Sequence, residues 1–173
     1  IGGGALILKI KPYIAKRFNT WGHAIEYASD GGFQQAHVLT YLASGGLFGV
    51  GIGNGFLKYV FASESDLVFG IVCEELGIIV GFVLIIAILC LAIYTRDIAT
   101  RSRSTFYSIS ACCAAGLFIV QMSLNVFGAT DILPLTGVTF PFVSAGGSSM
   151  ISCWGLLAFI KAADERTYSQ KRG

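Results

Sequence analysis

The sequence predicts an all-α protein that crosses a membrane several times. Of its 173 residues, 54% are hydrophobic and only 13% are charged, whereas soluble domains carry about 25% charged residues. The mean hydropathy is +0.71. Three apolar stretches reach the roughly 20 residues that a helix needs to span hydrocarbon. The net charge of +2 is too small to suggest a nucleic-acid partner.

The hydropathy pattern divides the chain into eight segments. Segment 1–10 is apolar from its first residue, which predicts the end of a truncated transmembrane helix. Segment 11–66 is too polar to span and too apolar for a simple loop. The other segments alternate between spans and connections: transmembrane helix 67–94, cytoplasmic loop 95–105, transmembrane helix 106–128, outer loop 129–139, transmembrane helix 140–160 and cytoplasmic tail 161–173.

The basic residues predict the orientation. Loop 95–105 contains three arginines and tail 161–173 contains four basic residues, so both are expected to be cytoplasmic by the positive-inside rule. Segments 11–66 and 129–139 are then extracytoplasmic. Lys16 and Arg17 lie on the side where the rule expects few basic residues. Either the other loops outweigh them, or they meet an anionic ligand such as a lipid-linked pyrophosphate.

The large outer loop contains two apolar features before its acidic end. Residues 33–47 predict a helix that lies flat in the membrane interface. Glycines then alternate with larger residues through 45–55, and neither of the common phosphate-binding glycine patterns is matched. A sharply turning backbone at the membrane surface is the better interpretation, because glycine tolerates positive φ.

Three carboxylates, Asp66, Glu74 and Glu75, stand at the head of the first complete apolar span. A carboxylate that enters a bilayer loses its water shell at high cost, so the cluster indicates a site at the membrane surface. Two interpretations of Asp66 are about equally supported. It is either an acidic residue that is favoured near the N-terminus of a helix, or a catalytic group. Glu74 and Glu75 would diverge by about 100° on a regular helix, so at most one should share a given partner. Pairing with Lys58, or with a basic residue from the missing half of the protein, is their structural explanation.

The second outer segment is interrupted by Pro134, Gly137 and Pro141. Non-helical backbone at membrane depth persists only when it is buried in protein or lines a wet cavity. Small polar residues at 144–149 then open the last span. They fit the lining of a groove, and close helix packing explains the adjacent glycines equally well.

Together these outer segments resemble the SEDS family, the RodA, FtsW and SpoVE group of bacterial cell-wall proteins. Their order and spacing extend through most of the chain from Gly32 onward. The matching pieces are 45–54, 66–77, Asn125-Val126, Leu133-Pro134, Gly137, Pro141 and 144–149.

The resemblance implies a bundle of about ten transmembrane helices with a large outer loop, of which this chain is the carboxy-terminal portion. It also implies a peptidoglycan glycosyltransferase that polymerises lipid II in cell elongation, division or sporulation. The expected location is the bacterial cytoplasmic membrane, with the catalytic face outside. The expected partners are lipid II, the membrane and a class B penicillin-binding protein, which is a transpeptidase.

Residue roles follow from the same resemblance. Asp66 aligns with the essential aspartate and is the candidate catalytic base, and Glu74 and Glu75 align with a supporting glutamate pair. No cofactor is implied with certainty; a divalent cation could lie near the carboxylates, although the sequence shows no ligand set. Lys58 aligns with the family's loop lysine. The other predicted substrate-binding residues come from the sequence itself: Lys16 and Arg17 could offset the charge of a leaving pyrophosphate, and the groove is expected to be lined by Ser144, Gly146, Gly147, Ser148 and Ser149.

The chain departs from the family pattern just before Asp66. The family commonly reads Pro-Glu-x-His-Thr-Asp-Phe, and here Phe61 and Ala62 replace the proline and glutamate while Glu64 replaces the histidine. Glu64 could take the place of the missing glutamate. Two other functions remain open: a flippase or transporter of the lipid-linked precursor, which also uses intramembrane carboxylates, and a non-catalytic scaffold for the transpeptidase.

Overall fold

The computed structural model of the protein describes residues 21–23, 25–26, 33–60, 63–102 and 104–169, with side chains described up to 164. The predicted sites Lys16 and Arg17 and the predicted segment 1–10 lie outside these residues. Helices are the only regular elements in the described part of the chain, which confirms the all-α class. They are α1 (Phe33–Gly45), a 3₁₀ turn (Leu57–Tyr59), α2 (Ser63–Asp66), α3 (Val68–Leu76), α4 (Ile78–Arg101), α5 (Thr105–Ala129) and α6 (Gly147–Ser169).

The predicted helix 67–94 is two helices, so that prediction was wrong. The chain breaks at Gly77, whose φ of 89° and ψ of 161° are not helical. After the break α3 packs back against α4, where a Cβ built on Gly81 would lie 2.6 Å from Cys73 Sγ. The hydropathy profile missed the break because both helices are apolar, and only the backbone angles of one glycine separate them.

Among the residues that the structure describes, two helices, α4 and α5, are long and apolar enough to cross a membrane. At 24 residues, α4 is about 36 Å long, which exceeds a hydrocarbon core of about 30 Å. The predicted loop 95–105 is mostly helical: α4 continues to Arg101, and an exposed Arg101–Asp97 ion pair at 2.9 Å lies on its last turn. The α5 bounds match the predicted span 106–128 within one residue at each end.

The last helix begins later and ends later than predicted. Residues 140–146 are not helical, and α6 starts at Gly147 and continues to Ser169, through most of the predicted tail 161–173. Phe142 has a φ of 63°, a conformation that no α-helix accepts. Tyr94 donates a hydrogen bond to Asp164 at 3.3 Å, so α6 ends beside the second half of α4.

The predicted interfacial helix 33–47 corresponds to α1. Gln35 is buried and donates to the backbone oxygens of Gly128 and Leu133, both at 3.2 Å, which fixes α1 to the end of α5. A Cβ on Gly70 would meet Val38 at 2.9 Å and Leu57 at 2.8 Å. Helix α1, the 3₁₀ turn and α3 therefore pack on one another beside the end of α5.

Candidate functional site

Asp66 is the last residue of the four-residue helix α2 and is half-buried. Its carboxylate lies against Gly137, where a Cβ would be 3.0 Å from Oδ2 and where φ is +69°. Glycine therefore permits both the turn and the close approach. No described residue donates a hydrogen bond to this carboxylate. It does not cap α3 either, because Leu67 is the N-cap and makes no side-chain cap bond.

Hydrogen bonds from other segments of the chain hold the backbone of α2 in place. Its last three carbonyl oxygens, those of Glu64, Ser65 and Asp66, accept hydrogen bonds from Ala145 N at 2.9 Å, Ser144 Oγ at 2.7 Å and Asn125 Nδ2 at 3.0 Å. These donors come from the segment before α6 and from α5. Two segments that are remote in sequence therefore meet at the acidic helix.

Ser144 was predicted to bind substrate, and the structure gives its hydroxyl two protein partners. Its Oγ donates to Ser65 O and accepts from Phe140 N at 2.8 Å. The residue is 2% exposed. Ser144 therefore lies beneath the surface of the candidate site and connects the segment before α6 to α2.

The other members of the 144–149 segment are nearer to solvent. Gly147 and Ser148 are exposed, and Ser149 Oγ donates to Gly146 O at 3.1 Å. A Cβ on Gly147 would have no neighbour within 4 Å. None of the described hydrogen bonds joins Ser148 or Ser149 to α2.

Glu74 and Glu75 both hold the glycine-rich loop. Glu74 is 1% exposed, and its carboxylate accepts from Phe56 N at 2.8 Å and Leu57 N at 3.0 Å. Glu75 accepts from Gly53 N at 3.0 Å. The two carboxylates accept from different N–H groups of the same loop, because the loop wraps around the end of α3.

The glycines permit that wrapping. Val50 N and Gly51 N donate to the backbone oxygens of Glu74 and Glu75 at 2.9 and 3.0 Å. A Cβ on Gly49, where φ is +80°, would lie 2.2 Å from Glu75 O. The backbone turns sharply, as predicted, and it turns around the carbonyl end of α3.

Lys58 lies in the 3₁₀ turn that Glu74 holds in place. Its ammonium donates to Gly53 O and lies 5.2 Å from the centre of the Tyr59 ring. Ser63 Oγ donates to Lys58 O at 3.1 Å, which connects this turn to α2. Within the described residues Lys58 forms no ion pair with Glu74 or Glu75, so the predicted pairing of the glutamates with Lys58 was wrong; a pairing with a basic residue from the missing half stays a prediction.

We expect Glu74→Gln to destabilise the protein by about 1–3 kcal/mol, because the new amide NH₂ faces a buried backbone N–H and leaves it unsatisfied. Glu75→Gln is the matched control. Its residue is half-buried and accepts one hydrogen bond, so we expect a smaller loss. Thermal unfolding of the whole protein in detergent measures both, and an equal effect of the two variants would contradict this account.

Two further observations concern metal binding and the reactivity of a cysteine beside the site. Among the residues that the structure describes, no group of three or more His, Cys, Asp or Glu side chains could hold a metal ion. Burial raises the pKa of the Cys73 thiol to about 11, so the neighbour of Glu74 stays protonated at neutral pH and is a poor nucleophile.

Sequence reasoning gave no role to Asn125 or Gly137, which entered only as matching positions. Patterns of polarity or charge along the sequence do not reveal these residues. Asn125 is an uncharged amide inside an apolar helix, and Gly137 is a glycine in a proline-containing segment. An uncharged polar residue within a predicted membrane helix was the one available signal for Asn125.

Comparison with known proteins identifies the lineage of this arrangement. The profile of the FtsW, RodA and SpoVE family, described as cell cycle proteins, matches residues 3–169. The chain is 38% identical over 172 residues to the probable peptidoglycan glycosyltransferase FtsW of Lactococcus lactis, covering 96% of the chain and 41% of that protein.

Two relatives with other names match similarly. Identity is 30% over 148 residues to the peptidoglycan glycosyltransferase RodA of Mycobacterium leprae, covering 86% of the chain and 32% of that protein. It is 33% over 141 residues to the stage V sporulation protein E of Bacillus subtilis, covering 80% and 38%. The chain spans between about a third and two fifths of the length of these relatives. A match over nearly the whole chain, on a helical membrane fold with the acidic helix at one end, shows that this chain belongs to the FtsW/RodA/SpoVE family.

Proposed function

We propose that the protein containing this chain is a peptidoglycan glycosyltransferase that polymerises lipid II. The observation that carries the proposal is the Asp66 carboxylate, half-buried against Gly137 with no hydrogen-bond donor among the described residues. A carboxylate in this state has its lone pairs available to accept a proton from a substrate hydroxyl. Relatives named as peptidoglycan glycosyltransferases FtsW and RodA supply the reaction type.

In the proposed step, Asp66 accepts the proton of the acceptor sugar hydroxyl. The hydroxyl oxygen forms a bond to the anomeric carbon of the donor sugar, and the bond from that carbon to the carrier pyrophosphate breaks. The pyrophosphate leaves with the electron pair and needs nearby positive charge. Lys58 is one candidate, since an ammonium has three N–H donors and the structure uses one on Gly53 O. Lys16 and Arg17 are the others.

Glu74 and Glu75 act in this proposal as supporting residues. They hold Gly53, Phe56 and Leu57, and so fix the turn that carries Lys58. Gly146, Gly147, Ser148 and Ser149 would line the groove for the lipid carriers, with Ser144 beneath them. No proposed step uses a divalent cation, because the described residues offer no group of three or more His, Cys, Asp or Glu side chains to hold one.

The proposed orientation places α2 and the glycine-rich loop outside the cytoplasmic membrane. Arg101 lies at the C-terminal end of α4 and Lys161 in the C-terminal half of α6. Both are therefore on the side away from α2, where the positive-inside rule expects cytoplasmic basic residues. The names of the relatives cover FtsW, RodA and a sporulation protein, so division, elongation or sporulation are all consistent uses. A class B penicillin-binding protein is the proposed partner that would cross-link the new glycan.

Vesicles that contain the whole protein and lipid II separate the candidate functions. We expect glycan polymer to form without any partner protein. A flippase would move lipid II between leaflets and make no polymer, and a scaffold would do neither. Polymer formation by the protein alone supports the proposal, and translocation without polymer would contradict it.

A further inference from the structure

Asn125 joins the two stretches of chain that meet beside Asp66. Its side chain extends from α5 and is 2% exposed. Its Nδ2 donates to the backbone oxygen of Asp66 at 3.0 Å and to that of Val138 at 2.7 Å. Val138 follows Gly137, against which the Asp66 carboxylate rests. One amide therefore holds the backbone on both sides of that contact.

The amide of Asn125 has only one favourable orientation. Both groups that face Nδ2 are carbonyl oxygens, so a flipped amide would place Oδ1 against two acceptors. The observed orientation leaves Oδ1 buried without a hydrogen-bond partner among the described residues. An unsatisfied buried oxygen is costly, so the two hydrogen bonds from Nδ2 carry the contribution that this residue makes.

The helix that carries Asp66 cannot fix its own position. A single turn is below the length at which a helix is stable alone, and the terminal carbonyls of a helix have no partner within it. In α2 those carbonyls are satisfied by Asn125, Ser144 and Ala145. Of the three donors, only Asn125 also holds the Gly137 turn.

We propose that Asn125 is a positioning residue that keeps the Asp66 carboxylate against Gly137, in the geometry required for proton transfer. Its kinetic consequence rests on the proposed function, whereas its effect on the location of the carboxylate does not. A displacement of about 1 Å in a reacting group costs on the order of 10²-fold in rate. Loss of the two hydrogen bonds should therefore affect turnover more than lipid II binding.

Gln121 provides a matched control for this residue. It lies one turn earlier on α5 and also has a buried side-chain oxygen without a partner, yet it makes no described hydrogen bond to α2 or to the Gly137 turn. We expect Asn125→Ala to lower kcat roughly 10- to 100-fold with KM for lipid II unchanged. Gln121→Ala should leave both constants unchanged. Equal kcat values for the two variants and wild type would overturn the inference.

A second readout is independent of activity. Carbodiimide-driven amine labelling of Asp66, followed by mass spectrometry of the whole protein in detergent, reports how accessible the carboxylate is. Asn125→Ala should increase the labelling rate several-fold, and Gln121→Ala should not. Unchanged labelling in Asn125→Ala would overturn the positioning role. If wild type makes no polymer, the proposed function fails while the labelling comparison still decides the role of Asn125.

Discussion

Replacing Gly77, which lies between α3 and α4, with alanine is expected to destabilise the protein more than a glycine-to-alanine replacement within either helix. Gly77 has a φ of 89° and a ψ of 161°, a region of backbone conformation that is essentially restricted to glycine. A Cβ there would lie 2.2 Å from Leu47 O and 2.6 Å from Leu47 C. Backbone atoms cannot rotate away as a side chain can, so the glycine-rich loop would have to leave the end of α3.

We expect Gly77→Ala to lower the free energy of unfolding by about 3 kcal/mol or more, the sum of backbone strain and displaced contacts. Gly116→Ala is the control, since a Cβ there meets nothing within 4 Å and alanine is favoured over glycine inside a helix by about 0.5–1 kcal/mol. Thermal unfolding in detergent should move in opposite directions for the two variants. A wild-type midpoint for Gly77→Ala would show that the break between α3 and α4 is wrong.

Asp66→Asn is expected to reduce polymerisation by about 10²- to 10⁴-fold, the usual contribution of a general base. The amide has nearly the shape of the carboxylate but cannot accept the proton. Because no described residue donates a hydrogen bond to the Asp66 carboxylate, the fold should be unaffected. Lipid II binding and thermal unfolding of the variant should match wild type.

The effect of replacing Glu64 is the control for the effect of replacing Asp66. Glu64 lies two residues earlier on the same short helix, is exposed, and replaces the histidine of the usual family pattern. Glu64→Gln should retain most of the activity if Asp66 is the base. Loss of polymer in Glu64→Gln together with activity in Asp66→Asn would move the base to Glu64.

Hydropathy predicted the elements whose boundaries depend on apolar length. It gave α5 within one residue at each end, and it placed α1 correctly. It failed at Gly77 and at 140–146, where φ values of 89° at Gly77 and 63° at Phe142 decide where helices stop. A continuous run of apolar side chains carries no information on the backbone angles of one residue within it.

The sequence predicted which charged residues belong to the candidate site, but it did not predict the hydrogen bonds that those residues make. The cost of charge at a membrane singled out Asp66, Glu74 and Glu75, but helical geometry could not predict that both glutamates hold the same loop. Their shared loop became evident only when its backbone N–H groups were placed. The hydrogen bonds of Asn125 could not be predicted, because they join two carbonyls from segments that are distant in sequence.

We propose that the carboxylate of Asp66 performs the proton transfer in glycan polymerisation. The initial polymerisation rate of the whole protein at saturating lipid II tests this role, measured for wild type and Asp66→Asn with no other glycosyltransferase present. We predict a glycan ladder from wild type and at least a roughly 10²-fold lower rate from the variant. Equal rates from the two proteins would contradict the account.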